Sequence, residues 1–414
     1  MRILFTHIKS LLQVREANKQ ALVGAAFDEL PKIDQAWLLI EDQIIIDFGE
    51  MKSLPKIHFD QEVNCNGKFI LPTWVDSHTH IVYAGNREQE FVQRIKGKTY
   101  AEIAQNGGGI LNSAKTLQQT SFEELYLQSE QRLKEVIQLG TGAVEIKSGY
   151  GLTKEAELKM LKVIQKLKEN YSLPIKASFL GAHAQPKEFK TSAEYVTYAI
   201  NHILPEIAEK SLADYIDVFC EDGYFDLEDT ERIIKAGKEY GLRAKIHVNQ
   251  FKSFGGIQLA AKHNILSVDH LEVLTEEDVQ HLKKADTIAF ALPSCSFYLG
   301  INYTPVKQLI DAEIPLALAS DFNPGSTPSG NMNFVVSLAC IKLKLTPEQA
   351  INAATINAAL ALEPKDEIRC IAKDKKANFM ITKPIPSYGF LPYAFGTNSI
   401  DQVWINGKRQ EHDI

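Results

Sequence analysis

The chain has 414 residues, 45% of them hydrophobic and 23% charged, with a formal net charge of -7. This length suits a large α/β barrel carrying a small extra domain, and the composition is that of an ordinary globular protein. An acidic balance without a basic stripe or tail argues against nucleic acid and anionic membranes as partners.

The N-terminal residues Met1 to Ile8 contain no long apolar run and no small-residue cleavage site. No segment has the apolar length that spans a bilayer. The five cysteines (Cys65, Cys220, Cys295, Cys340 and Cys370) are odd in number and form no Cys-x-x-Cys pair. A reducing, cytoplasmic setting is therefore expected, without a disulfide framework or a zinc knuckle.

Residues 1–68 read as short strands and turns. Ala36 to Gly49 is β-rich with a polar break in its middle, the pattern of a hairpin. Residues 69–372 alternate apolar strands with amphipathic helices. The strand candidates begin with Phe69–Asp76, Ala143–Lys147, Ile175–Leu180 and Tyr215–Cys220. Arg243–His247, Leu266–His270, Thr287–Leu292 and Pro315–Ser320 complete the set. Between them, Phe122, Leu125, Ser129, Leu133 and Val136 repeat at helical spacing. Residues 373–414 return to short strands, at Asn378–Thr382 and Gln402–Lys408. The expected fold is a (β/α)8 TIM-like barrel over residues 69–372 with a small β-sandwich domain built from 1–68 and 373–414. A doubly wound sheet competes, but the first strand is not followed by a phosphate-binding loop. Gly107 to Gly109 invites that reading, yet no Lys-Ser/Thr pair follows, so a mobile loop over the pocket is expected there.

Barrel enzymes keep their chemistry at the C-terminal ends of the strands. Here the first strand ends at His78-Thr-His80, and the third runs into His183. The fifth ends at His247, the sixth at His270 and the eighth at Asp321. Residues i and i+2 of a strand face the same side, so His78 and His80 converge. Each of these residues alone has an ordinary explanation, as a packed core histidine or a turn aspartate. Together they bring five of the eleven histidines to one rim. His78, His80, His247 and Asp321 fit the nitrogen and oxygen shell of a catalytic metal. His270 or Asp321 is placed to handle a proton. Barrels of this kind with two metals usually bridge them with a lysine at the end of strand four. That end is Cys220-Glu221-Asp222 here, and Lys147 follows strand two, so one metal is expected.

Several segments resemble the imidazolonepropionase family of the amidohydrolase superfamily. They are residues 76–91, 99–104 with 107–110, 145–153, 180–184, 217–222, 268–272 and 321–326. His-x-His is widespread in the superfamily. The Lys147–Leu152 and Asp321–Ser326 blocks are far more specific. The resemblance implies hydrolysis of 4-imidazolone-5-propanoate to N-formimidoyl-L-glutamate in L-histidine degradation. It also implies one zinc or iron ion per subunit (Zn2+ or Fe3+) and a homodimer. Substrate contacts are implied at Arg87, Tyr150, His183, Gln250, Asn323, Gly325 and Ser326. Some relatives carry an acidic residue where this chain has Gln250; glutamine can hydrogen-bond a ring nitrogen but cannot act as a base.

Such a substrate has a carboxylate tail and a cyclic amide. Arg87, just past the first two histidines, suits the carboxylate. Tyr100 and Tyr150 can donate phenolic hydrogen bonds. The expected chemistry is attack of a metal-activated water on the ring carbonyl. His270 steadies the oxyanion or moves the proton, and Asp321 carries a proton to the ring nitrogen. A deaminase or another cyclic amidase is the rival enzyme, and a metal-free barrel used as a scaffold is the rival from another class. Arg87 with Tyr150 favours an anionic substrate over the first, and the full ligand set argues against the second.

Overall fold

A computed structural model describes residues 1–16, 20–98, 102, 108–363 and 368–411. Among these, two eight-stranded sheets organise the chain. The first is built on β1 (Arg2–Leu12), β2 (Lys32–Glu41), β3 (Ile44–Glu50), β4 (Gln61–Asn64) and β5 (Phe69–Pro72). β2 and β3 form the expected hairpin, turning at Asp42, whose φ of 52° is left-handed. Such a turn suits the right-handed twist of the strands it joins.

β1 uses both edges. It pairs antiparallel with β2, while its other edge takes β4 and then β5 in parallel. A bulge between Phe5 and Ile8, with His7 at φ 54°, bends the strand between these two partners. The expected first barrel strand over 69–76 is two strands. Phe69–Pro72 belongs to the terminal sheet, and Trp74 begins the barrel. Pro72 has no N–H to extend a ladder, so the chain leaves one sheet there and enters the other.

The barrel strands are β6 (Trp74–Thr79), β7 (Thr141–Lys147), β8 (Ile175–Ala182), β9 (Tyr215–Cys220), β10 (Arg243–Val248), β11 (Ser267–His270), β12 (Ile288–Ala291) and β13 (Leu316–Leu318). They lie in chain order, all parallel. Closure comes just past the last strand. His80 N donates to Phe322 O at 2.8 Å, and Asp321 N donates to His78 O at 3.0 Å. Buried Asp76 adds a clamp, accepting from Ser320 N at 3.0 Å and Ser320 Oγ at 2.6 Å. The seam that shuts the barrel therefore sets His78, His80 and Asp321 side by side.

Helices cover the barrel. The one at Phe122–Gln138 buries Leu125, Ser129, Leu133 and Val136 on one stripe and is capped by Ser121 Oγ, which accepts from Glu124 N. The C-terminal strands β14 (Phe379–Thr382), β15 (Ile400–Ile405) and β16 (Lys408–Arg409) join the terminal sheet by pairing β14 with β5. Phe5, Phe379 and Trp404 pack there with ring centroids 5.0 to 5.9 Å apart, so both chain ends share one core.

Candidate metal centre

The side chains at the ends of β6, β10, β11 and β13 meet over the barrel axis. His78, His80 and Asp321 offer ligand atoms that all lie within 4.8 Å of one another, and so do His78, His247 and His270. His78 Nε2 stands 3.5 Å from Asp321 Oδ1, and His80 Nε2 stands 3.6 Å from the same oxygen. The His78 and His247 rings are 4.5 Å apart. All are buried.

The hydrogen bonds assign the tautomers. His78 Nδ1 faces Asp269 Oδ2 at 2.6 Å, and His247 Nδ1 faces Asp217 Oδ1 at 3.1 Å. A carboxylate can only accept, so each Nδ1 carries a proton and each Nε2 is the ring nitrogen left facing the cluster. Both Nε2 atoms are buried without a hydrogen-bond partner, as is His80 Nδ1. Burial, with Lys147 and the neighbouring histidines adding to it, drives His78 far below the usual imidazole range. Burial and the nearby His183 do the same to His80. Buried imidazoles with orphaned ring nitrogens converging beside a carboxylate are what a metal ion requires, so this buried His/Asp cluster fits one.

Asp217 and Asp269 were not singled out as site residues from the sequence, and Lys147 was set aside. The structure brings the three together beneath the histidines. Lys147 Nζ lies 2.5 Å from Glu145, 2.7 Å from Asp217 and 3.7 Å from Asp269, with no exposure. Its burial opposes the charge, but the three carboxylates outweigh it and hold the ammonium well above its ordinary range. Lys245, paired with Glu145, sits over the Tyr215 ring at 4.7 Å. Two lysines and three carboxylates thus fill the barrel interior under the site. One signal was available in the sequence: a charged residue at alternate positions inside a strand that is otherwise apolar, as in Glu145-Ile-Lys147.

Glu221, at the end of β9, has both carboxylate oxygens engaged by the backbone. Its two oxygens accept from Phe251 N at 2.9 Å and Asp222 N at 3.1 Å.

His270 stands beside His78 and His247, with ring centroids 5.8 and 5.5 Å away. Its Nδ1 is 3.3 Å from Glu272 Oε1. Burial pushes against the imidazolium, yet Glu272, Asp321 and Asp269 raise the group to about 9. The backbone at the rim is strained: φ is 90° at His270, 63° at Leu271, 56° at Asp321 and 56° at Asn249. Such conformations cost about 1–3 kcal/mol each and persist where surrounding bonds enforce them. Thr304 Oγ1 holds the His270 carbonyl at 2.7 Å. The Asp321 turn is held by Asn323, whose Oδ1 accepts from Gly325 N and Ser326 N, both at 2.8 Å. Burial raises Asp321, opposed by His270 and His247. Ser326 Oγ reaches its Oδ2 at 3.2 Å.

Above the cluster opens a cavity of about 590 Å³. Its wall includes Arg87, Tyr150, His183, Gln250, Asn323, Gly325 and Ser326, so these sequence candidates share one space. Glu90, Arg94 and Phe219 also line it and were not anticipated. Tyr100 and Gly107 lie outside the described residues. His183 Nδ1 donates to Gly149 O at 3.1 Å, and burial lowers this histidine to about 3, so the ring is neutral. His183 stacks on His80 at 5.4 Å, with Tyr150 edge-on at 5.2 Å. Gln250 Nε2 is 3.6 Å from Cys295 Sγ. Gly325 provides room rather than a side chain: a Cβ there would collide with Arg87 Nη1.

Residues 69–409 match the model of the amidohydrolase family. A chain named imidazolonepropionase from Christiangramia forsetii is 64% identical over 409 residues, covering 99% of this chain and 100% of that one. Another of that name from Flavobacterium johnsoniae is 60% identical over the same span of 409 residues, again covering 99% of this chain and 100% of that one. Among solved structures, Escherichia coli guanine deaminase superposes with a TM-score of 0.73 at 15% identity, covering 100% of both chains. At that identity the likeness speaks for the fold alone. With both relatives matching end to end, the chain belongs to the amidohydrolase family and, within it, to the imidazolonepropionases.

Proposed function

We propose that the chain hydrolyses 4-imidazolone-5-propanoate to N-formimidoyl-L-glutamate, a step of L-histidine degradation, with one metal ion, Zn2+ or Fe3+, held by His78, His80, His247 and Asp321. The observation that carries this reading is the pair of buried, orphaned Nε2 atoms on His78 and His247, each fixed by a carboxylate behind it. The end of β9 carries no lysine, and Glu221 is spent on backbone amides, which supports one ion rather than two.

The reaction adds one water across the ring amide. The carbonyl carbon gains the water oxygen, its bond to the ring nitrogen breaks, and that nitrogen takes a proton. A metal ion in this shell supplies Lewis acidity, polarising the carbonyl and lowering the pKa of a water to about 7. The remaining work falls to side chains. His270, positively charged through Glu272, faces the developing oxyanion as a charged donor. Asp321 receives a proton from the attacking water and hands it to the leaving nitrogen, within reach of Ser326 Oγ. His183 and Tyr150 form one wall for the planar ring. Gln250 hydrogen-bonds a ring nitrogen, and Asn323 with Gly325 and Ser326 shapes the turn that borders the substrate. Arg87, in the cavity wall, is assigned to the propionate end of the substrate. Tyr100 is assigned a further phenolic hydrogen bond.

The same reading has two copies working as a cytoplasmic homodimer, which sedimentation would report as twice the mass of the chain. No disulfide links the five cysteines among the described residues, in keeping with the proposed reducing compartment. No helix among the described residues is long and apolar enough to cross a membrane.

Ultraviolet loss of the imidazolone ring measures the activity directly. Purified enzyme is expected to consume the substrate, to lose that activity to a strong chelator, and to regain it on addition of Zn2+ or iron. Absence of ring opening by metal-loaded protein overturns the reading. A His270→Ala variant is expected to keep its metal and lose about a hundredfold in kcat, with KM little changed, because the lost contact forms in the transition state. Full activity in that variant removes His270 from the mechanism.

A further inference from the structure

The cavity wall holds two arginines in different electrostatic states. Arg87 Nε lies 2.8 Å and Nη2 lies 2.7 Å from Glu90 Oε2, with both side chains almost fully buried. Glu90 Oε1 accepts from Gly109 N at 2.9 Å. The Arg87 charge is therefore balanced within the wall. Arg94, two turns along the same helix (Glu88–Ile95), is not balanced. Its Nη2 donates to Gly325 O at 3.1 Å, and its guanidinium lies over the Tyr298 ring at 4.9 Å. A carbonyl and a ring face are neutral partners. Among the described residues no carboxylate pairs with Arg94, and Glu90 is the one acid in the cavity lining. Arg87, Glu90 and Arg94 then leave one net positive charge, and it resides on Arg94.

Both arginines converge on Gly325. Arg87 Nη1 packs where a Cβ would be, and Arg94 grips the carbonyl. Gly325 sits on the turn that begins at Asp321, so one short loop spaces the cationic wall from the reacting end of the cavity.

We infer that Arg94 supplies the net charge that reads the substrate's carboxylate, while Arg87, neutralised by Glu90, acts beside it as an oriented hydrogen-bond donor. An anion entering this wall meets a cation whose other partners are uncharged, so ion pairing is not paid for by breaking an existing one. Recognition of an anionic tail in preference to a neutral one is then a property of Arg94. The inference rests on the proposed imidazolone hydrolysis.

The test compares 4-imidazolone-5-propanoate with its propanamide, in which the carboxylate is replaced by a neutral amide. The readout is the ratio of kcat/KM for acid over amide. Arg94→Gln is expected to lower that ratio by at least about tenfold, chiefly through KM for the acid. Arg94→Lys, which keeps the charge, is expected to hold the ratio within about threefold of the original enzyme. A structural role for Arg94 would lower both substrates alike, and an unchanged ratio in Arg94→Gln overturns the inference. Metal content and circular dichroism show whether each variant is folded; should the glutamine variant fail, Arg94→Met is judged by the same ratio. If the original enzyme opens neither ring, the proposed function itself is wrong. If it opens the acid without Arg94 affecting selectivity, the function stands and the inference alone falls.

Discussion

A chain in which His78 and His80 are both alanine is expected to purify without stoichiometric metal and to show no ring-opening activity above background. These residues are two of the four proposed ligands, and they sit at the end of the strand whose closing bonds also place Asp321. Removing them leaves His247 and Asp321, too few donors to hold a catalytic ion. A metal contributes several kcal/mol of transition-state stabilisation, so the loss in kcat is expected to be at least about 10³-fold. The fold should survive, because the imidazoles removed are neutral and the seam depends on main-chain bonds and on Asp76 with Ser320. Elemental analysis and a thermal shift on metal addition check this without any reference to activity. Bound metal at one ion per chain in the double variant would sink the ligand set.

Lys147→Met is expected to destabilise the protein by about 3–5 kcal/mol, the usual cost of leaving buried charges without their partner. Lys147 has no exposure and lies between Glu145, Asp217 and Asp269. Methionine fills most of the volume but brings no charge and no donors. Asp217 and Asp269 would then be left with Lys245 as the remaining cation, and Lys245 is engaged with Glu145. Denaturant unfolding of the metal-free protein measures the cost, which separates it from any effect on metal binding. A loss below about 1 kcal/mol would show that the charged layer rearranges or takes up protons instead. The same contacts would make Lys147 a positioning residue for the proposed metal shell, since Asp217 and Asp269 are the carboxylates that hold His247 and His78.

The order of elements was legible because hydrophobic periodicity is a local property. Tyr215–Cys220 reads as a strand from its own six residues, and the 122–138 helix from its buried stripe. The rim histidines were legible for a related reason: a barrel of parallel strands sends every strand end to the same side, so His78, His80, His247, His270 and Asp321 could be grouped before any distance was known. The family resemblance added Arg87, Tyr150 and the Asp321–Ser326 turn, which periodicity alone does not mark.

What depended on contacts between distant segments was not legible. Phe69–Asp76 reads as one strand in sequence, and only the pairing partners show that Phe69–Pro72 and Trp74–Thr79 lie in different sheets. Lys147 looked misplaced when counted along its own strand. Its role comes from Asp217 and Asp269, 70 and 122 positions away, which meet it because alternate strands point into the same barrel layer. Arg87 looked like the natural anion receptor until Glu90 was seen to neutralise it and Arg94 was seen to stand among neutral groups. The sequence by itself determined which candidate residues gather on one rim, since that follows from residue type and strand period. Only the tertiary structure decided their charge states and tautomers, because these depend on which buried group lies within a few ångströms, and local sequence does not encode that distance.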